Sequence, residues 1–313
     1  MPRVIPTDRD TAFFKIDDQT ITLTNLRKPF WNDPLITKGD LIQYYCEISE
    51  WLLPHVQDRP MVMKRYPDGA AGDFFFMKQS PSPRPEWIRT CPIDHGDGKI
   101  VDYPVVDDLA TLLWIINLGC IDLNPWYSRC DEIDLPDWLH FDLDPGPGAG
   151  FDAVRDAALI VRETLDSLGM QCSAKTTGSR GVHVYVPIKR GPTQKEVWAI
   201  AKTVAFHLAS SHRGKLTAEY SKKKRPDGSI VVDYNQNAWG QTLASIYSVR
   251  PTPAATVSMP VSWEEIEAGI EIEDFTLSNA QGRLMETGDL WEPLLGKKRF
   301  DLGKFVEELR SSG

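Results

Sequence analysis

The sequence predicts a mixed α/β protein with substantial antiparallel character. Three observations carry this: segments with helical spacing, alternating strand-like runs between them, and turn residues placed to join successive strands. Residues 41–53 form the first helical segment, with Leu41, Tyr44, Tyr45, Ile48 and Leu52 on one face, Thr37-Lys38-Gly39-Asp40 as its start and Pro54 as its stop. Residues 140–144 alternate as a strand. Residues 151–168 repeat apolar side chains at Val154, Ala157, Ala158, Val161, Leu165 and Leu168, with Gly169 where a helix terminator belongs. Strand-like runs follow at 171–175 and 181–188. The Thr193-Gln194-Lys195-Glu196 stretch fits a capping box opening a third helix through Val197, Ala201, Val204 and Leu208. A Pro226-Asp227-Gly228 turn precedes a strand at 229–234. The acidic part from Pro260 holds two more helices, 263–268 and 303–310. No Ser/Gly linker or internal repeat divides the chain, so residues 1–313 are expected to form a single domain of two intimate lobes.

Composition narrows the function. Lys and Arg number 35 against 44 Asp and Glu, a formal net charge of −9, which argues against a basic nucleic-acid coat protein. No apolar run reaches the roughly 18 residues of a membrane-spanning helix; the longest, 109–120, has 12. The N-terminus lacks a charged segment followed by an apolar one, so no secretory signal, no membrane association and a cytoplasmic (bacterial) location are expected. The five cysteines, Cys46, Cys91, Cys120, Cys130 and Cys172, are odd in number and form no CxxC, as buried reduced thiols would.

The charge is segregated. Residues 101–144 carry ten acids against Arg129 alone, whereas residues 175–225 carry twelve Lys and Arg against Glu196 and Glu219, a local +10. That basic stretch suits a polyanion or, equally, a solvated hairpin end at Lys222-Lys223-Lys224-Arg225.

In His140-Phe141-Asp142-Leu143-Asp144, strand alternation puts Asp142 and Asp144 on one face and Phe141 and Leu143 in the core. The two carboxylates lie about 7 Å apart along the strand, a spacing that suits divalent cations. The same triplet occurs in glycosyltransferases, nucleotidyltransferases and plain acidic strand ends. Asp233 closes an apolar run, Ile230-Val231-Val232, where a charge needs a partner or a metal; a strand-end acid facing water fits as well. Three such acids can hold two metals that activate a 3′-hydroxyl and stabilise a leaving pyrophosphate. Thr177-Gly178-Ser179-Arg180-Gly181-Val182-His183 reads as a small-residue turn whose backbone N–H groups, Ser179, Arg180 and His183 can meet phosphate. It lacks the spacing of a Walker A loop.

Taken in order, DLDPGPG (142–148), TGSRGVHVYVP (177–187) and VDYNQN (232–237) resemble motifs I, II and III of the archaeo-eukaryotic primase superfamily. More narrowly, they resemble the polymerase domains associated with bacterial ATP-dependent DNA ligases. Similarity extends from LTNLRKPFW through KRYPDG and FFFMKQ to YSVRPTPAATVSMPVSWEEI. The resemblance implies a primase-type α+β core, mixed antiparallel sheets flanked by helices, and a template-directed primase-polymerase. Asp142, Asp144 and Asp233 would be catalytic ligands of two Mn²⁺ or Mg²⁺ ions. Ser179, Arg180 and His183 would hold the triphosphate of an NTP or dNTP, with Lys64 and Arg250 at the same nucleotide. Lys28 and Lys38 match lysines that grip the 5′-phosphate across a DNA gap, and Phe75 and Phe76 match an aromatic pair that stacks on the template base. Without the family, a buried strand would be the reading of that pair.

Two departures refine this. Ligase D polymerase domains commonly carry a nucleotide-binding His before motif I, where this chain has Cys120-Ile121-Asp122-Leu123-Asn124. With the GPGAG that follows DLDP, the variant looks like the stand-alone primase-polymerases that accompany ligase C in actinobacteria. No KxDG adenylation motif is present, so sealing is left to an ATP-dependent ligase of the C or D type, with Ku as a further partner. The expected protein is a monomer that fills short gaps in 5′-phosphorylated DNA, favouring ribonucleotides and Mn²⁺, in excision repair or end joining. Two rivals are a non-catalytic gap- or end-binding scaffold for a ligase and a different DxD transferase; the three acids and the GSRGVH turn disfavour both.

Overall fold

The computed structural model describes residues 3–96 and 98–311. They fall into two compact units, each assembled from separated stretches of chain. One holds the residues up to Trp126 with Ala244–Ser258 and Phe275–Asp289; the other holds Tyr127–Leu243, Met259–Asp274 and the residues from Leu290 onward. Because each unit is discontinuous, no linker composition marks a boundary.

The second unit is built on a six-stranded sheet in the order Leu216–Thr217, Ile230–Asp233, Trp138–Pro145, Val182–Pro187, Ser173–Thr176, Pro260–Val261. Every pairing is antiparallel except that of Leu216–Thr217 with Ile230–Asp233. Phe141 and Leu143 are fully buried, as the alternation requires. The helix Phe151–Ser167 packs its Val154, Ala157, Ala158, Val161 and Leu165 stripe against the two central strands. It ends at Gly169, whose φ of +73° closes the last turn. The helix Gln194–Ser211 packs beside it on the Trp138–Pro145 and Leu216–Thr217 side. It starts on the expected capping box, Thr193 accepting from the Glu196 N–H and Glu196 accepting from that of Thr193. Trp263–Ala268 and Leu302–Ser311 are the two expected late helices; a third in that stretch, Ala280–Thr287, belongs to the first unit.

The first unit consists of a three-stranded sheet, Phe75–Met77, Met61–Arg65 and Cys120–Pro125, with three two-stranded hairpins and short helices. The expected helix at 41–53 is two helices. Lys38–Glu47 is capped by a Thr37/Asp40 capping box, Ile48 interrupts, and Ser49–Val56 follows with Pro54 inside it. Proline removes one donor, and the turn still closes through Gln57 N–H to the Leu53 carbonyl. The longest apolar run becomes the buried helix Leu109–Asn117, started by Asp108 accepting from the Thr111 N–H at 2.7 Å. No described helix is long and apolar enough to cross a membrane. None of the five cysteines is in a disulfide, and Cys91 and Cys120 are buried, whereas Cys46, Cys130 and Cys172 are only partly buried.

Removing the third helix's cap is predicted to destabilise the protein. Thr193→Ala should lower stability by about 1 kcal/mol, read as a lower urea midpoint with an unchanged slope.

Candidate active site

Strand register builds the site in the second unit. Asp142 pairs across one edge of its strand with Asp233 and across the other with His183; His183 in turn pairs with Lys175. Four adjacent strands therefore place Lys175, His183, Asp142 and Asp233 in one row. Pleating puts cross-strand partners on the same face, and Asp144, two residues beyond Asp142, joins them. The structure thus brings together the three predicted acids. Lys175 Nζ lies 2.7 Å from His183 Nδ1, and His183 Nε2 lies 3.2 Å from Asp142 Oδ1. Asp233 accepts from the Asn235 N–H at 2.8 Å and from Gln236 Nε2 at 3.1 Å.

The loop 177–181 is shaped from within. Thr177 Oγ1 accepts from the N–H groups of Ser179, Arg180 and Gly181 at 3.0–3.1 Å. Those three amides, expected to meet phosphate, are therefore turned inward, and the loop presents the exposed side chains of Ser179 and Arg180 instead. Gly181 is required by close approach: a Cβ there would collide with the Leu143 carbonyl oxygen. His183, at 2% exposure, is not among the outward groups; it faces Asp142.

Burial and the neighbouring Asp142 push the Asp144 carboxyl up to about 6, with Asp233 adding to the rise and Arg180 and Arg225 opposing it. Arg225, at the end of the exposed Lys222–Lys224 turn, thus directs charge at the acids. A carboxyl raised by burial and by a neighbouring acid, among side chains offering only oxygen ligands, fits hard divalent cations. In their present rotamers Asp142 lies against His183 and Asp233 accepts from protein donors, and no cluster of three or more described His, Cys, Asp or Glu side chains is set to hold a metal. Asp142, Asp144 and Asp233 would have to turn toward one another to do so.

The first unit carries the other predicted residues in two groups. Buried Asp122 forms ion pairs with Arg250, whose Nε lies 3.3 Å away, and with Lys64, whose Nζ lies 3.9 Å away. Lys64 also sits over the rings of Phe74, Tyr66 and Phe76, at 4.1, 5.5 and 5.6 Å, and burial lowers its basicity despite Asp122. Of the two polar residues that replace the family's His, Asp122 is therefore the one that gathers Lys64 and Arg250; Asn124 donates to the Asp122 carbonyl.

The second group is Lys28, Lys38 and Arg65. The Lys38 N–H donates to the Lys28 carbonyl, and Lys28 Nζ reaches Asp68 at 2.9 Å. Lys38 is buried, donates to the Thr24 carbonyl, and is pushed down to about 8 by burial, with Lys28 and Arg65 adding to the shift against Asp10. Phe75 and Phe76 are both exposed, at 44% and 58%, which removes the buried-strand reading. They do not share a face. Phe76 pairs with Lys64 and meets Phe74 edge-on, whereas Phe75 pairs with Arg65 and stacks on its guanidinium at 5.2 Å.

A family model described as LigD, primase-polymerase domain, matches residues 37–291. The chain belongs to this family. Its members are nucleotidyltransferases, and the mixed α/β architecture is theirs. The multifunctional non-homologous end joining protein LigD of Mycolicibacterium smegmatis is 31% identical over 88% of this chain and 36% of its own length. The bifunctional LigD of Bacillus subtilis is 28% identical over 86% of the chain and 43% of its length. The polymerase domain of Mycobacterium tuberculosis Ligase D, solved in complex with DNA, superposes with a TM-score of 0.82 at 28% identity, over 88% of this chain and 98% of that one. The chain thus spans about a third of the multifunctional M. smegmatis relative and nearly all of the M. tuberculosis polymerase domain.

Sequence reasoning missed Lys175, Phe74 and Arg65. A lysine between Ala174 and Thr176 in a strand was a signal for the first, since an ammonium inside a sheet needs a partner.

The Asp144 shift sets a pH dependence. Unfolded, this carboxyl titrates near 3.9; folded and metal-free it titrates near 6. Stability is therefore fullest below about pH 4 and is lost as pH rises through about 6. Asp144→Asn should raise metal-free stability at pH 7.5 by up to about 3 kcal/mol and leave it unchanged near pH 4, as read by urea unfolding in EDTA.

Proposed function

We propose that this chain is a template-directed polymerase that fills short gaps in 5′-phosphorylated DNA, favouring ribonucleotides, and acts as a monomer with a separate ATP-dependent ligase and with Ku. The observation that carries this is the pairing of Asp142 with Asp233, with Asp144 on the same face, in a chain of the LigD primase-polymerase family. Asp142, Asp144 and Asp233 would hold two Mn²⁺ or Mg²⁺ ions. Such ions supply Lewis-acid stabilisation of charge on the α-phosphate and acidify the primer 3′-hydroxyl.

The remaining roles fall to the chain's own side chains. Ser179 and Arg180 stand exposed on their loop and are suited to the triphosphate oxygens. His183 serves by holding Asp142 rather than by reaching phosphate. Lys64 and Arg250, gathered by Asp122, present two cations to the incoming nucleotide. Lys28 and Lys38 with Arg65 form a cationic group suited to a terminal phosphate. Phe75, on the Arg65 side, is the ring placed to stack on the template base beside that phosphate. Phe74 and Phe76 form a separate aromatic face over Lys64.

Extension of a one-nucleotide gapped duplex bearing a 5′-phosphate should vanish in Asp142→Ala and Asp233→Ala; full extension by both would contradict the mechanism. Comparing ribo- with deoxynucleotides on that substrate tests the sugar preference. Because Lys38 is held near 8, its ammonium is lost as pH rises through that value. The part of gap affinity that depends on the 5′-phosphate should therefore fall between pH 7 and 9, while binding of the dephosphorylated gap changes little; equal pH profiles would remove the assignment.

A further inference from the structure

The row across the sheet does more than align the acids. Lys175 is 1% exposed and His183 2% exposed, and their contact of 2.7 Å sits inside the sheet face. An ammonium has protons to give and no lone pair to accept with, so His183 Nδ1 must be the acceptor. The ring proton then resides on Nε2, which lies 3.2 Å from Asp142 Oδ1 in an electrostatic contact with the carboxylate rather than an aligned hydrogen bond. The opposite tautomer would set a nitrogen lone pair against the carboxylate and a ring proton against the ammonium. We propose that Lys175 is a positioning residue of the nucleotidyl-transfer site: it fixes the His183 tautomer, so that the Nε2 proton rather than a lone pair lies toward the Asp142 carboxylate.

Two features of the fold support this. The register Lys175–His183–Asp142–Asp233 comes from three consecutive antiparallel pairings, so the relay is set by the backbone rather than by adjustable loops. In addition, the ring is enclosed, at 2% exposure, with Tyr185, two residues along its own strand, 6.3 Å from it. Orientation of a metal-binding group by a partner one residue removed is a general device, and loss of such a partner costs about 10- to 100-fold in metal affinity or activity. The proposal rests on the assignment of Asp142 as a ligand.

The test combines ¹⁵N NMR of the His183 ring with Mn²⁺ titration followed by electron paramagnetic resonance, on the full chain. In the metal-free wild type, Nδ1 should be unprotonated and Nε2 protonated; a protonated Nδ1 overturns the proposal whatever the variants do. In Lys175→Met the preference should be lost and Mn²⁺ affinity should fall about 10- to 100-fold, with the KM for gapped DNA unchanged and kcat reduced. Unshifted ring signals with wild-type Mn²⁺ affinity would overturn it. In a His183→Gln background the donor to Asp142 is an amide whose N–H does not depend on a tautomer. Adding Lys175→Met there should cost little, and an equal loss in both backgrounds would mark Lys175 as merely structural. If Lys175→Met does not fold, Lys175→Arg, which keeps a cationic donor, should retain the tautomer and Mn²⁺ affinity; loss of both in a folded Lys175→Arg counts against the proposal. A wild type with the stated tautomer and Mn²⁺ response but no nucleotide incorporation would remove the polymerase reading and leave the positioning role intact.

Discussion

Setting Asp142 directly opposite Asp233 forces two carboxylates together on one face of a sheet, and Asp144 adds a third at the next position. Like charges opposite one another in antiparallel strands destabilise the pair, and burial raises the cost. The arrangement of the second unit follows from meeting that cost. Asn235 and Gln236 donate to Asp233, His183 faces Asp142, and Arg180 and Arg225 act on Asp144. What remains unbalanced appears as the raised Asp144 carboxyl, and that residual repulsion makes the face a receptor for cations. The glycines serve the same end: Gly181 lets the loop 177–181 press against the strand that carries the acids.

The first unit shows the complementary problem, cations held close together. Lys64 and Arg250 are balanced by one buried acid, Asp122, and by aromatic faces that accept positive charge. For Lys38 the support of Asp10 is outweighed by burial. Buried and near Lys28 and Arg65, it is held at about 8, close to losing its proton. A cluster of this kind gains most from an incoming anion, since the anion restores the charge that desolvation disfavours. The two units thus carry opposite unbalanced charge, one suited to metal ions and the other to phosphate.

Much of this could be read from residues alone, and the reasons for the exceptions are specific. Period-two alternation fixed the face of Asp142 and Asp144, and the apolar run before Asp233 marked it as a costly charge. The capping box at Thr193 located a helix start because it is a local device, readable within four residues. The break at Ile48 was not legible, since helical spacing continues through it and only the backbone angles reveal the interruption. Similarly, the pairing of Phe75 with Arg65 and of Phe76 with Lys64 is a matter of register between distant segments. The inward turn of the loop amides depends on one hydroxyl, Thr177 Oγ1, which a reading focused on glycines passes over. Lys175 was hidden for the same reason as the register: its partner in the row lies on another strand.

The most direct test of the central claim is anomalous diffraction from crystals grown with Mn²⁺, a nucleotide and gapped DNA. The account predicts Mn²⁺ peaks bounded by carboxylate oxygens of Asp142, Asp144 and Asp233, with His183 Nε2 still on Asp142. Mn²⁺ bound elsewhere, with the three carboxylates keeping their protein partners, would contradict it.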